Sequence, residues 1–263
     1  MAVPVVDELA VCLIQTDLYW EDVTANLSSL EEKIAAIDHP VDVIVLPEMF
    51  NSGFTMNTNI AEHMNMTTTK WMKHMALQTG ALMIGSLAIK EAGNSFNRLL
   101  CVRPDGSFVQ NDKRHLFRMG AEHDTYTPGS SREIVEWKGW KIFPLVCYDL
   151  RFPVWSRNSS DNPYDLLLYI ASWPKRRAHA WNTLLKARAI ENLSYVVGVN
   201  RTGQDGNGID YQGDSVALDF LGEPLFHMGD KESEKIVKIS KTALQAYKNS
   251  FPAYLDADQF DIR

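Results

Sequence analysis

Lys141-Ile-Phe-Pro-Leu-Val-Cys-Tyr-Asp-Leu-Arg-Phe-Pro153 is an apolar run that ends in a thiol and breaks at once into turn-forming polar residues. It reads as a strand that delivers Cys147 to the point where strand gives way to loop. A thiol on such a strand-to-helix turn can face a substrate while the N–H groups just after it point at an oxygen under attack. The same residue also reads as a small buried hydrophobe, the commoner state of a free cysteine in an apolar run. Its neighbours must decide between the two. Pro144 sits awkwardly in this strand because it cannot donate a ladder hydrogen bond.

Working outward, residues 9–16 form another apolar strand. Val23, Leu27, Leu30, Ile34 and Ile37 then recur at spacings of four, three, four and three, which is one apolar face of a helix. Val43-Ile-Val-Leu-Pro47 is short, β-branched and unrelieved by polar alternation, so it predicts a fully buried strand. The chain therefore opens β-α-β. A polar, methionine-sprinkled loop over 51–69 could cover a pocket beside that strand end, and a helix over 70–79 follows, stopped by Gly80. Residues 81–89 and 98–103 read as neighbouring strands, Pro104-Asp-Gly-Ser107 turns the second back towards 108–110, and Lys138-Gly139 marks another hairpin. Residues 166–171 and 195–200 are further buried strands on either side of a helix over 175–193, and antiparallel hairpins are expected from 214 to 240. This alternation favours a mixed-sheet α/β or α+β architecture, with two sheets covered by outer helices. No composition break or repeat divides the sequence, so residues 1–263 are expected to form a single domain. Its C-terminal tail, from about 241 to 263, is expected to pack on a surface or on a partner subunit.

With 263 residues and 45% hydrophobic content the chain can bury a substantial core, and its net charge of −7 leaves no broad cationic footprint for nucleic acid or anionic lipid. Small-molecule chemistry becomes the leading class. Cys12, Cys101 and Cys147 are too few and too scattered for a disulfide framework or a zinc site, which fits reduced thiols in the cytoplasm. The N-terminal residues lack a basic leader, and no apolar stretch approaches the roughly 20 residues of a membrane span. Gly203-Gln-Asp-Gly-Asn-Gly208 has the wrong glycine spacing for a dinucleotide fingerprint and reads as a turn, while Lys175-Arg-Arg177 reads as the surface of a helix start. Neither a metal nor a cofactor is expected.

Three segments put ionisable groups at predicted strand ends: Leu46-Pro-Glu-Met-Phe50, Asp112-Lys-Arg-His-Leu-Phe117 and Val146-Cys-Tyr-Asp149. A carboxylate, an ammonium and a thiol suffice for acyl transfer. Glu48 would take the thiol proton, Cys147 would attack a carbonyl and Lys113 would stabilise the oxyanion. An ordinary thiol, with a pKa near 8.5, is mostly protonated at neutral pH, so an adjacent base or cation is needed. Glu48 would act first as base and then as acid towards departing ammonia. Taken singly, Glu48 also reads as a surface carboxylate and Lys113 as a solvated cation. Their combination carries the reading.

In that order, Leu46-Pro-Glu-Met-Phe-Asn-Ser-Gly-Phe54, Asp112-Lys-Arg-His-Leu-Phe117 and Cys147-Tyr-Asp-Leu-Arg-Phe-Pro153 resemble the three signature blocks of the nitrilase superfamily of carbon–nitrogen hydrolases. The likeness runs from the first strand to about Leu225 and includes the helix Trp181–Asn192 and the strand ending Gly198-Val-Asn-Arg201. Arg114-His-Leu-Phe-Arg-Met119, Phe152-Pro-Val-Trp-Ser-Arg-Asn158 and Ala171-Ser-Trp-Pro174 look like the bacterial omega-amidase branch, whose members hydrolyse the terminal amide of 2-oxo acids such as 2-oxoglutaramate. The resemblance implies a four-layer αββα sandwich, usually a homodimer. It also implies Cys147 as nucleophile, Glu48 as general base, Lys113 as stabiliser of the tetrahedral intermediate and the Tyr148 N–H completing the oxyanion hole. Glu122, in Gly120-Ala-Glu-His-Asp124, matches a second family glutamate in position, although its flanking sequence departs from the more widespread versions of that block. Its implied duty is to orient Lys113 and water. An omega-amidase must also hold a carboxylate, which a planar guanidinium suits. Arg151 is the first candidate, with Arg118 and Lys175 as alternatives, and Phe117 and Trp173 could wall the pocket.

Overall fold

In the computed structural model, which describes residues 5–159, 161–258, 260 and 262, the first half of the chain runs β1 (Glu8–Gln15), α1 (Val23–Ala35), β2 (Val43–Val45), α2 (Thr67–Thr79), β3 (Leu82–Glu91), β4 (Asn94–Val102), β5 (Phe108–Asp112) and the short α3 (Glu122–Thr125). The second half runs β6 (Val135–Trp137), β7 (Trp140–Val146), the short α4 (Pro153–Ser156), β8 (Leu166–Ala171), α5 (Ala178–Asn192) and β9 (Tyr195–Asn200). It ends with β10 (Thr202–Gln204), β11 (Asp210–Gln212), β12 (Val216–Leu218), β13 (Pro224–His227), β14 (Ser233–Ser240) and α6 (Lys241–Ser250). Met1–Pro4, which begin the segment read for a leader, and Gln259, Asp261 and Arg263 of the expected tail lie outside the described residues.

The strands form two six-stranded sheets, in the orders β14-β1-β2-β3-β4-β5 and β13-β12-β9-β8-β7-β6. In each, three strands at the centre pair in parallel and their flanking partners run antiparallel. Period-two alternation divides the labour on β1: Leu9, Val11 and Leu13 join the cluster packed against the second sheet, while Cys12 and Ile14 pack with Leu27, Leu30 and Ile34 of α1 and with Met72 and Met75 of α2. On the second sheet, α5 comes so close to β9 that a Cβ on Gly198 would lie 2.7 Å from Leu185 and 2.8 Å from Trp181. Helices outside two facing sheets make the four-layer αββα sandwich. Among the described residues no helix is long and apolar enough to cross a membrane.

The structure departs from the sequence reading in places that have local causes. Pro144 is accommodated because β6 pairs only with Trp140–Ile142, so beyond Ile142 no ladder on that side needs its N–H. Helix α2 starts three residues before the expected position, at Thr67, because the Glu62 carboxylate caps it, accepting from the Thr68 N–H at 2.8 Å and from the Thr68 hydroxyl. The run from 214 to 240 is not a series of hairpins. Strand β13 pairs with β12, but β14 crosses to the other sheet and lies antiparallel to β1. Gln15 pins this crossing by donating to the carbonyls of Gly229 and Lys231. The segment from 241 begins as α6, capped by the Ser240 hydroxyl, and its Leu244 enters the inter-sheet core while Tyr247 stacks on Phe220.

Candidate functional site

Strand β2 is followed by Leu46-Pro47, and the chain turns sharply at Met49, whose φ of 46° is held by the Ser86 hydroxyl accepting from the Met49 N–H at 3.0 Å. This turn leaves Glu48 fully buried. Strand β5 ends just before Lys113, whose N–H donates to the Asn97 carbonyl on β4 and whose carbonyl accepts from Gly129. Gly129 lies against this strand end so closely that a Cβ there would sit 2.1 Å from the Asp112 carbonyl oxygen. One residue back, Arg98 forks onto both oxygens of Asp112 at 2.7 and 2.9 Å, which fixes the β4–β5 register beside the lysine.

Cys147 follows β7 directly and starts a 3-10 turn over Cys147–Arg151. Its φ of 44° is a left-handed conformation that costs a non-glycine residue about 1–3 kcal/mol unless the surroundings impose it. Asp149 helps impose it. One oxygen accepts from the Val146 N–H at 3.2 Å, and the other accepts from the His115 N–H at 2.9 Å and lies 2.8 Å from His115 Nδ1. His115 is in turn stacked on Phe152 at 3.7 Å, so the loop after Lys113 and the turn carrying the thiol are tied together across the two sheets.

Lys113 Nζ donates to Glu48 Oε1 at 2.8 Å and to Glu122 Oε2 at 2.9 Å, with all three side chains fully buried. Asn97 Nδ2 bridges the same two carboxylates, at 2.9 Å from Glu48 Oε1 and 3.1 Å from Glu122 Oε1. The other Glu48 oxygen accepts from the Ser172 N–H at 2.8 Å, and the Phe117 N–H donates to Glu122 Oε2 at 2.6 Å. Burial works against charge on Lys113, but Glu122 and Glu48 outweigh it and hold the ammonium above its ordinary range. Burial pushes the Glu122 carboxyl up and the neighbouring Glu48 adds to this, while Lys113 opposes it. Burial also raises the Cys147 thiol well above its ordinary range, reinforced by the charge of Glu48 and a hydrogen bond to it. The thiol therefore keeps its proton at rest, beside a carboxylate placed to take it.

Above this floor opens a cavity of about 590 Å3 lined by Glu48, Lys113, Cys147, Tyr148 and Ser172, with Phe54–Asn57 of the 51–69 loop on one side. Its volume falls within the few hundred to a thousand Å3 usual for small-molecule sites. Arg151, Phe117 and Trp173 line it as expected; Arg151 lies over the Trp173 ring at 5.0 Å and Phe117 meets the Tyr148 ring edge-on at 5.1 Å. Arg118 and Lys175 do not line it. Each starts a 3-10 turn, with about three residues per turn, and is exposed on its outer side. The turn that carries Lys175 outward brings Arg176 and Arg177 to the cavity wall, correcting the reading of this basic trio as a helix-start surface.

Sequence reasoning also missed Asn97 and the place of the Gly203–Gly208 turn, which does join two strands, β10 and β11, and whose hairpin lines the cavity with Asp205, Asn207, Ile209 and Tyr211. Asn97 was within reach: the turn at Ala92-Gly93, with φ of 50° and 83°, lets β4 begin at Asn94 and carries Asn97 into the strand, whereas a strand starting at Arg98 leaves it outside.

Residues 9–249 match the sequence model of the family described as carbon-nitrogen hydrolase. The chain is 48% identical to omega-amidase YafV of Yersinia enterocolitica over 96% of this chain and 98% of that one. It is 29% identical to a 2-oxoglutaramate amidase of Bacillus subtilis over 92% and 95% of the two chains. Among solved structures, XC1258 from Xanthomonas campestris, a CN-hydrolase superfamily protein with an arsenic adduct in its active site, superposes with a TM-score of 0.96. That match has 43% identity and covers 98% of this chain and 100% of that one.

Proposed function

The chain belongs to the carbon–nitrogen hydrolase family, and from that premise we propose that it is an omega-amidase, releasing ammonia from the terminal amide of a 2-oxo acid such as 2-oxoglutaramate or 2-oxosuccinamate. The observation that carries the reading is the pairing, within one cavity, of a thiol–carboxylate–ammonium floor with a guanidinium-bearing wall. The floor suits an amide and the wall suits a carboxylate on the same small molecule.

In this mechanism the Cys147 sulfur attacks the amide carbon as its proton passes to Glu48, so that no free thiolate has to persist in the buried site. The developing oxyanion is received by Lys113 and by the Tyr148 N–H, which opens the turn after Cys147 and has no helical partner of its own. When the intermediate collapses, Glu48 returns the proton to nitrogen and ammonia leaves, with the acyl group held as a thioester on Cys147. Glu48 then takes a proton from water, the water attacks the thioester, and the dicarboxylate product departs from a restored thiol. Glu122 and Asn97 hold Lys113 and Glu48 in position throughout.

The same reading places the enzyme in the cytoplasm, because its three cysteines are free and buried thiols, and assigns it a homodimeric state, which the family resemblance implies. The function is tested by ammonia release over a panel of 2-oxoglutaramate, 2-oxosuccinamate, an aliphatic nitrile and an N-carbamoyl amino acid. Turnover of the two oxo-acid amides is expected. Turnover of the carbamoyl compound alone would overturn the assignment.

A further inference from the structure

Arg177 lines the cavity, and its Nη1 is buried without a hydrogen-bond partner. Its Nη2 meets only the soft sulfur of Met119, at 3.3 Å. The guanidinium lies over the Phe117 ring at 5.3 Å, and that ring is edge-on to Tyr148, the residue after Cys147. Burial, then the like charges of Arg176 and Arg151, lowers the pKa of Arg177, while Tyr148 and Cys147 oppose this. Three guanidiniums thus converge on one wall, and among the described residues no carboxylate pairs with any of them. The outer nitrogen of Arg177, which meets only a thioether sulfur, keeps donor capacity that an incoming anion can use. The backbone of Arg177 is well anchored, since its N–H donates to the Pro174 carbonyl at 2.9 Å and its carbonyl accepts from Trp173 Nε1 at 2.9 Å.

We infer that Arg177 is the specificity-determining residue of this site. It binds the carboxylate at the end of the substrate remote from the amide, so that the ω-amides of short oxo-monocarboxylates are selected over neutral amides. This rests on the proposed amidase function and adds to it the group that chooses the substrate. Arg151, stacked on Trp173, supplies charge to the same wall. Arg177 supplies a planar guanidinium whose outer nitrogen is engaged only by the Met119 sulfur, a donor suited to a carboxylate.

The test compares kcat/KM for 2-oxoglutaramate with that for valeramide, a neutral amide of the same chain length, in wild type, Arg177→Gln and Arg177→Lys. The ratio between the two substrates is expected to fall about 100-fold in Arg177→Gln, mostly through KM, and to be only partly restored in Arg177→Lys, which keeps the charge and lacks the fork. An unchanged ratio, with both amides slowed alike or neither slowed, overturns the inference. A second readout needs no turnover: glutarate should protect Cys147 of the wild type from iodoacetamide, and the concentration needed should rise about 10-fold or more in Arg177→Gln. If wild type fails to hydrolyse 2-oxoglutaramate while this shift is seen, the functional assignment falls and the anion site stands. Equal protection of both proteins overturns the anion site.

Discussion

Glu48, Lys113 and Glu122 are fully buried and meet one another at ion-pair distance, with Asn97, Ser172 N–H and Phe117 N–H supplying further hydrogen bonds. Across the same cavity Arg151, Arg176 and Arg177 carry like charges that, among the described residues, no carboxylate neutralises. The floor is a connected network of buried hydrogen bonds that holds its geometry before any substrate arrives. The wall is an open one that an anionic ligand would complete. In the proposed mechanism reaction chemistry and substrate choice are held by separate groups, and substitutions in the two places should fail in different ways.

The largest effects should come from the floor. Glu48→Gln is expected to fold and to lose about 1,000-fold or more in kcat with little change in KM, because the proton acceptor is gone while the carboxamide keeps the shape. Stopped assays for ammonia, together with a thermal melt, check both halves of that statement. Lys113→Met should be inactive and also less stable by about 3–5 kcal/mol, since it strands two buried carboxylates without their cation; urea titration measures the loss. Asn97→Ala should cost about 10–100-fold in kcat, the equivalent of one or two buried hydrogen bonds, with KM changing less than kcat. On the wall, Arg151→Gln should do the reverse, raising KM for 2-oxoglutaramate by about 10-fold while kcat moves less. Failure in KM from the floor, or in kcat from the wall, would dissolve the contrast.

Much of the floor was legible in the sequence because its residues sit at the ends of short apolar strands, where a single polar residue after a β-branched run stands out. Glu48 after Val43–Pro47 and Cys147 after Ile142–Val146 are of this kind. The wall was less legible. Whether Lys175, Arg176 or Arg177 faces the cavity depends on a 3-10 rather than α-helical start to the segment, which shifts the projection of each residue and has no marker in composition. The crossing of β14 to pair with β1 is hidden for another reason: its partner lies more than two hundred residues away, and local alternation is the same whichever sheet a strand joins. The order of the three ionisable segments, by contrast, carried the family resemblance and with it the four-layer architecture.

The smallest effect separates the site thiol from its two structural counterparts. Burial pushes Cys12 up to about 12 from an ordinary 9.0 and raises Cys101 as well. A thiol whose folded-state pKa is raised keeps a proton that the unfolded chain has released. Stability is therefore untouched below about pH 9 and falls as pH rises above it, by about 1.4 kcal/mol per pH unit for each such thiol. Chemical denaturation at a series of pH values should show this alkaline decline, and Cys101→Ala should make it shallower. Iodoacetamide, applied to the folded protein, should mark Cys147 and leave Cys12 and Cys101 unlabelled, because only Cys147 lines the cavity among the three.

In the proposed mechanism Cys147 forms the acyl-enzyme. Ammonia release from 2-oxoglutaramate by Cys147→Ala, in a preparation whose circular dichroism and melting match the wild type, tests it most directly. Release no faster than in buffer alone is expected; release at a rate comparable with the wild type would rule out a thioester on Cys147.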